Sequence, residues 1–354
     1  MHKDKIAIIA NSLSLGGAER VSLILTEWMA SKGIHAYLFT LNKDREEGYE
    51  LNPLINRVAI NRDSKLSKYQ IIKELRKNLK EYGINKILVM GVPLAVYAIP
   101  AKIGLRTSVI ISERNDPANF KGKIATKIIS RILMQLADGF VFQTEGAKQY
   151  YAKRIQAKSI IIPNPLLTDE LPSVFNGDRA KKIVTAGRLV KQKNHRNLIK
   201  AFKEVAKMYP EYTLIIYGNG HERAELENLI CDLELKDKVL LPGATKDLFA
   251  EIIDGELFVL SSDFEGMPNA LIEAMALGIP CISTDCPPGG PRSLIENKKN
   301  GILVPVNDYL KLAESIKLLI KDKEIANRLS TEAVKIRTTL SKDVICKKWA
   351  DYLS

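Results

Sequence analysis

No stretch of this 354-residue chain is apolar for long enough to read as a membrane-spanning helix. The longest uncharged run, Ile87–Ala101, falls short of the ~20 residues a spanning helix needs, and Gly91, Pro93 and Pro100 interrupt it. A secretion signal is not expected either, because Met1–Lys5 is polar and the apolar run after it stops at Asn11–Ser12. The four cysteines, Cys231, Cys281, Cys286 and Cys346, form no C-x-x-C pair, and the histidines at 2, 35, 195 and 221 have no spacing that joins them to one. That excludes the usual zinc patterns, and free thiols without a secretion signal point to the cytoplasm. No Asp-x-Asp occurs, so the common carboxylate clamp for a divalent metal is missing. Low-complexity segments and short-period repeats are absent as well.

What is present is positive charge, unevenly placed. The chain carries 53 basic and 41 acidic residues, and residues 1–172 alone hold 26 and 16 of them. A net of +10 in the first half against +2 in the rest suggests either a domain that meets something anionic or a lysine-rich solvated surface. Nucleic acid is not the expected partner, because aromatic and basic residues do not interleave and no known module is evident.

From Lys5 onward, short β-branched runs alternate with helical patterns, as in a parallel sheet covered by helices. The first series predicts strands at Lys5–Ala10, His35–Thr40, Lys86–Met90, Ser108–Ser112, Gly139–Gln143 and Ser159–Ile162, with one helix over Glu145–Arg154 among those between. It stops at Pro163-Asn164-Pro165. The segment Leu166–Arg179 reads as a linker, and the pattern restarts at Lys182–Ala186. The expected architecture is α/β, with two Rossmann-like doubly wound domains at about residues 1–168 and 175–340 and a ligand cleft at their strand ends.

Three stretches could carry chemistry. The first strand leads through Gly16 and Gly17 into a helix, where glycine lets backbone approach an anion and the helix start offers free N–H groups. This is not G-x-G-x-x-G, and a simple turn explains it equally well. In Gly187–Asn194, Arg188 and Lys193 flank a turn just past a strand end. A planar fork and a mobile point charge there suit a pyrophosphate, or else form a solvated basic turn. Finally, Ser261–Met275 places Glu265 at a helix entrance, amides around Gly266, Met267, Pro268, Asn269 and Ala270 in its first turn, and Glu273 further along. A buried carboxylate at 273 needs a partner such as vicinal ribose hydroxyls, whereas an exposed one needs none.

Taken together, these residues resemble glycosyltransferase family 4, the retaining enzymes of the GT-B fold. The resemblance runs from the Gly-Gly-Ala-Glu-Arg loop through G-R-L-x-x-x-K-N (Gly187–Asn194) to the E-x7-E element of Glu265 and Glu273. Cys286–Ile295 and Asn300–Pro305 look like the corresponding stretches of bacterial polysaccharide and lipid-linked oligosaccharide transferases. It implies that Arg188 and Lys193 hold the donor diphosphate with Gly17 behind it, and that Glu273 takes the ribose. It further implies that Glu265, with Gly266–Pro268, meets the transferred sugar, and that the base sits near Pro242, Gly243, Ala244 and Thr245. Arg114 stands where many members have histidine near the donor sugar. The first domain would bind the acceptor, the second the nucleotide-sugar, and a last helix over 341–354 would pack back on the first.

The activity so implied is retaining transfer of a hexose or N-acetylhexosamine from a UDP-sugar to a glycan, expected on polyprenyl diphosphate, without a metal cofactor. An epimerase or hydrolase on the same fold, or a non-catalytic glycan-binding partner, are the rival readings. Lys123, Lys127 and Arg131 recur at four-residue intervals along a helix whose other side is apolar. They suit a lipid diphosphate or an anionic membrane surface, and the enzyme is expected at the inner face of the cell membrane.

Overall fold

The computed structural model describes residues 4–14, 16–42, 51–61, 63, 65–119 and 124–354. The chain divides into two compact units, residues 1–165 with 342–354, and residues 166–341.

The first unit is built on seven parallel strands: β1 (Lys5–Ala10), β2 (His35–Thr40), β3 (Asn56–Ala59), β4 (Lys86–Met90), β5 (Ser108–Ser112), β6 (Gly139–Phe142) and β7 (Ser159–Ile161). Their order is β3-β2-β1-β4-β5-β6-β7. Central strands such as β1 and β4 read as nearly unbroken apolar runs because helices cover both faces of the sheet. β3 is an addition to the sequence reading. Four residues, Asn-Arg-Val-Ala, carry too little apolar pattern to announce an edge strand. The helix expected over Glu145–Arg154 is two, Glu145–Gln149 and Lys153–Ala157.

One face of this sheet is covered by the helices Lys68–Glu81, Ala95–Lys102 and Ile124–Met134, whose inward residues Leu75, Leu79, Ala98 and Met134 share one core. The helix Lys68–Glu81 starts at a capping box, Ser67 with Gln70. The helix Lys342–Leu353 belongs to this unit and packs against the helix Gly17–Ser31. Trp349 on it is fully buried, and the Tyr352 hydroxyl donates to the carbonyl of Lys158 at 2.9 Å.

The second unit has six parallel strands: β8 (Ala180–Ala186), β9 (Thr213–Tyr217), β10 (Val239–Gly243), β11 (Gly255–Leu260), β12 (Cys281–Thr284) and β13 (Ile302–Val304), ordered β10-β9-β8-β11-β12-β13. The doubly wound class expected from the alternating pattern is the observed one. In each sheet the strand order reverses beside the first strand, at β1/β4 and at β8/β11, the place where open α/β sheets bind ligands beyond their strand C-termini. Among the described residues, no helix is long and apolar enough to cross a membrane.

Candidate functional site

In the second unit, β8 runs out into Gly187–Asn194 and β11 into Ser261–Gly266, so the two motifs emerge side by side. The loops are tied together. The backbone N–H of Asp263 donates to the Gln192 carbonyl at 2.9 Å, and the Gln192 side chain returns to the Phe264 carbonyl at 3.0 Å. Asn194 adopts the left-handed conformation at φ 45°, caps the helix His195–Ala206 through the Asn197 N–H, and donates to Asp263 at 2.7 Å.

At their junction Lys193 Nζ meets Glu265 Oε1 at 2.5 Å, with side chains only 14% and 8% exposed. The Ser262 hydroxyl donates to the same carboxylate oxygen at 2.7 Å. A buried charge pair held this way is satisfied at both ends, which allows it to persist out of water. Arg188, by contrast, is exposed, and its side chain makes no hydrogen bond or ion pair among the described residues. A cation held ready beside a buried ion pair at a strand end can receive an anionic ligand.

The helix Asn269–Ala276 follows, with Pro268 at its cap. Gly266, Met267 and Pro268 are buried at its entrance, and Asn269 and Ala270 form its partly exposed first turn. Glu273 is only 5% exposed, so the solvated-glutamate alternative does not hold. Pro242, Gly243, Ala244 and Thr245 line a surface pocket of ≈ 490 Å³ with Tyr217 and Glu251.

Two features were not singled out in the sequence. Gly290 packs so closely under the Glu265 loop that a Cβ there would lie 2.3 Å from the Gly266 carbonyl oxygen. The Glu265 N–H donates to the Pro287 carbonyl at 2.9 Å, so the Cys286–Ile295 stretch is the floor of this loop. The other is His195, only 3% exposed. Burial, reinforced by the Lys193 charge, pushes its pKa down to about 4. The unfolded chain therefore binds a proton that the folded one refuses between its ordinary 6.5 and about 4. Stability from this group is complete above that window and is lost as pH falls through it. His195→Asn should flatten the acid side of the thermal-midpoint profile; an unchanged slope would mean that His195 is not the titrating group.

In the first unit, the Gly16–Gly17 turn starts the helix Gly17–Ser31 beyond the end of β1. Arg114 lies past β5, its Nη2 bonded to Asn164 Oδ1, with Nε and Nη1 buried and unpartnered among the described residues. Burial lowers its pKa to about 10, against the opposing charges of Glu113 and Glu19. Glu113 is buried too, which raises its carboxyl, while the Tyr151 hydroxyl donates to it at 2.7 Å. Lys123 lies outside the described residues. Lys127 and Arg131 are on the helix Ile124–Met134, where the Arg131 guanidinium sits over the Tyr150 ring and bonds its hydroxyl.

Two family models meet end to end on the chain: Glycosyltransferase Family 4 over residues 15–170 and Glycosyl transferases group 1 over residues 169–336. A Haemophilus influenzae glycosyltransferase is 28% identical, with 98% of each chain covered. A Campylobacter jejuni N-acetylgalactosaminyltransferase, named for a diNAcBac-PP-undecaprenol glycan acceptor, is 26% identical over 93% of this chain and 92% of its own. Among solved structures, Anabaena HepE in complex with UDP-glucose superposes with a TM-score of 0.81 at 18% identity, covering 99% of each chain. The chain belongs to the family 4 glycosyltransferases and has the GT-B fold. It is thus a transferase enzyme.

Proposed function

We propose that this enzyme transfers a hexose or N-acetylhexosamine from a UDP-sugar, with retention, to a glycan carried on polyprenyl diphosphate. The observation that carries the reading is the buried Lys193–Glu265 pair beside the exposed Arg188 at the switch point of the second sheet. Arg188 and Lys193 would neutralise the diphosphate as the glycosidic bond opens, with Gly16 and Gly17 as further backbone contacts. Glu265 and Gly266–Ala270 would orient the sugar, Glu273 would bind the ribose, and the pocket at Pro242–Thr245 would take the base. Arg114 would contact the sugar. In this scheme the donor phosphate takes the proton of the acceptor hydroxyl, so the protein contributes charge stabilisation and positioning, without a metal. The C. jejuni relative supports the lipid-linked acceptor, and the UDP-glucose complex of HepE supports the donor. The first unit would hold the acceptor, and the excess positive charge of residues 1–172 suits a place on the anionic inner face of the cell membrane.

The test is thermal unfolding with a panel of UDP- and GDP-sugars in the presence of a chelator. A donor at ~100 times its Kd should stabilise the protein by about 2.7 kcal/mol, in wild type but not in Arg188→Ala or Glu273→Ala. Stabilisation that disappears in chelator and returns with magnesium would sink the metal-free reading. Release of free UDP or an epimerised sugar without any acceptor would favour the rival chemistry.

A further inference from the structure

We infer that the outward face of the helix Ile124–Met134 is a hydrophobic insertion patch that docks the chain onto an anionic lipid bilayer. This rests on the membrane reading above and adds which side chains enter the bilayer. The helix is oriented against the usual rule. It buries Ser130, whose hydroxyl has no hydrogen-bond partner among the described residues, and Met134. It turns Ile128, Ile129 and Ile132 to solvent at 54%, 49% and 64% exposure, with Leu136 just beyond its end at 57%. At 3.6 residues per turn these four, with exposed Ala125, fall within a sector of roughly 100° opposite Ser130. A soluble surface helix places such a stripe inward, and a contiguous apolar patch left outside marks a docking surface.

Charge selects the occupant. Between Asp116 and Asp138 the sequence has no acidic residue, while Lys121, Lys123, Lys127 and Arg131 all fall there. The helix Ala95–Lys102 packs between this helix and Lys68–Glu81, which exposes Lys73, Lys77 and Lys80 on the same covered face of the sheet. An apolar patch bordered by exposed Arg131, on a segment and a helix layer rich in lysine, suits acyl chains below and anionic headgroups beside them. A second copy meeting this patch across a two-fold axis would bring like charges together.

The experiment is sedimentation of the full chain with vesicles of phosphatidylglycerol and phosphatidylcholine, or of phosphatidylcholine alone. Wild type should bind the anionic vesicles, and part of that binding should survive about 0.5 M salt, where the Debye length is only several ångströms. Ile128→Ser/Ile132→Ser should lose at least about tenfold in partitioning and the salt-resistant fraction entirely. Ile128→Leu/Ile132→Leu should bind as wild type. Both pairs are at exposed positions, so thermal midpoints should stay put and separate lost docking from lost folding. If the serine pair binds like wild type while Lys127→Ala/Arg131→Ala does not, the contact is electrostatic only. The insertion patch then falls and the membrane reading stands. Absence of wild-type binding to either vesicle overturns both, and light scattering that shows a dimer broken by the serine pair assigns the patch to a second copy. Donor-induced thermal stabilisation reports on the transferase site in every case.

Discussion

Lys193→Ala is expected to lower turnover on the order of 10²-fold or more, the usual effect of removing one preorganised charge from a developing anion. The same change should unsettle the second unit, because it leaves the Glu265 carboxylate buried with only the Ser262 hydroxyl for company. Stripping one partner from a buried pair costs about 3–5 kcal/mol, whereas removing both is far milder. Glu265→Ala should therefore destabilise, and Lys193→Ala/Glu265→Ala should recover part of the loss. A double-mutant cycle from thermal or urea unfolding measures the coupling, and steady-state kinetics separates it from catalysis. Additive stabilities, to within about 0.5 kcal/mol, would show that the two side chains do not act as a pair. Turnover unchanged in a folded Lys193→Ala enzyme would remove Lys193 from the leaving-group site.

The second large effect is expected at Gly290→Ala. The new methyl would stand 2.3 Å from the Gly266 carbonyl oxygen and 3.0 Å from that of Glu265, both backbone atoms that cannot swing aside. Such overpacking costs about 1–3 kcal/mol and has to be relieved by moving the loop that carries Glu265. Alanine at 290 should thus lower the thermal midpoint and also abolish stabilisation by a UDP-sugar. Gly289→Ala is the control, since its φ of +94° strains any other residue while its methyl would meet nothing within 4 Å. That variant should lose some stability and keep donor binding. Equal donor binding by Gly290→Ala and wild type would disprove the idea that this glycine supports the loop.

Much of this architecture was legible because parallel strands, covered on both faces, write continuous apolar runs. Lys5–Ala10 and His35–Thr40 could be read to the residue for that reason. The neighbourhood of the candidate site was legible because short motifs mark strand ends, and Arg188 and Glu265 each follow one. Partnership was not. Lys193 and Glu265 are 72 residues apart, and nothing local tells two ligand contacts from two members of an ion pair. The role of Gly290 was hidden similarly, because its cause is a backbone approach from Gly266. Helical spacing revealed an apolar stripe on Ile124–Met134, but which side faces the sheet is decided by the packing of Ser130 and Met134.

The return of the helix Lys342–Leu353 to the first unit bears on the order in which the protein can mature during synthesis. Trp349 is a fully buried part of that unit, and it is polymerised only after all of residues 166–341. The core under the helices Lys68–Glu81, Ala95–Lys102 and Ile124–Met134 draws only on residues 7–155, but the place that Trp349 fills beside the helix Gly17–Ser31 stays open until the chain is nearly finished. The second unit, contiguous in sequence, can be complete while the earlier one still waits for its last helix.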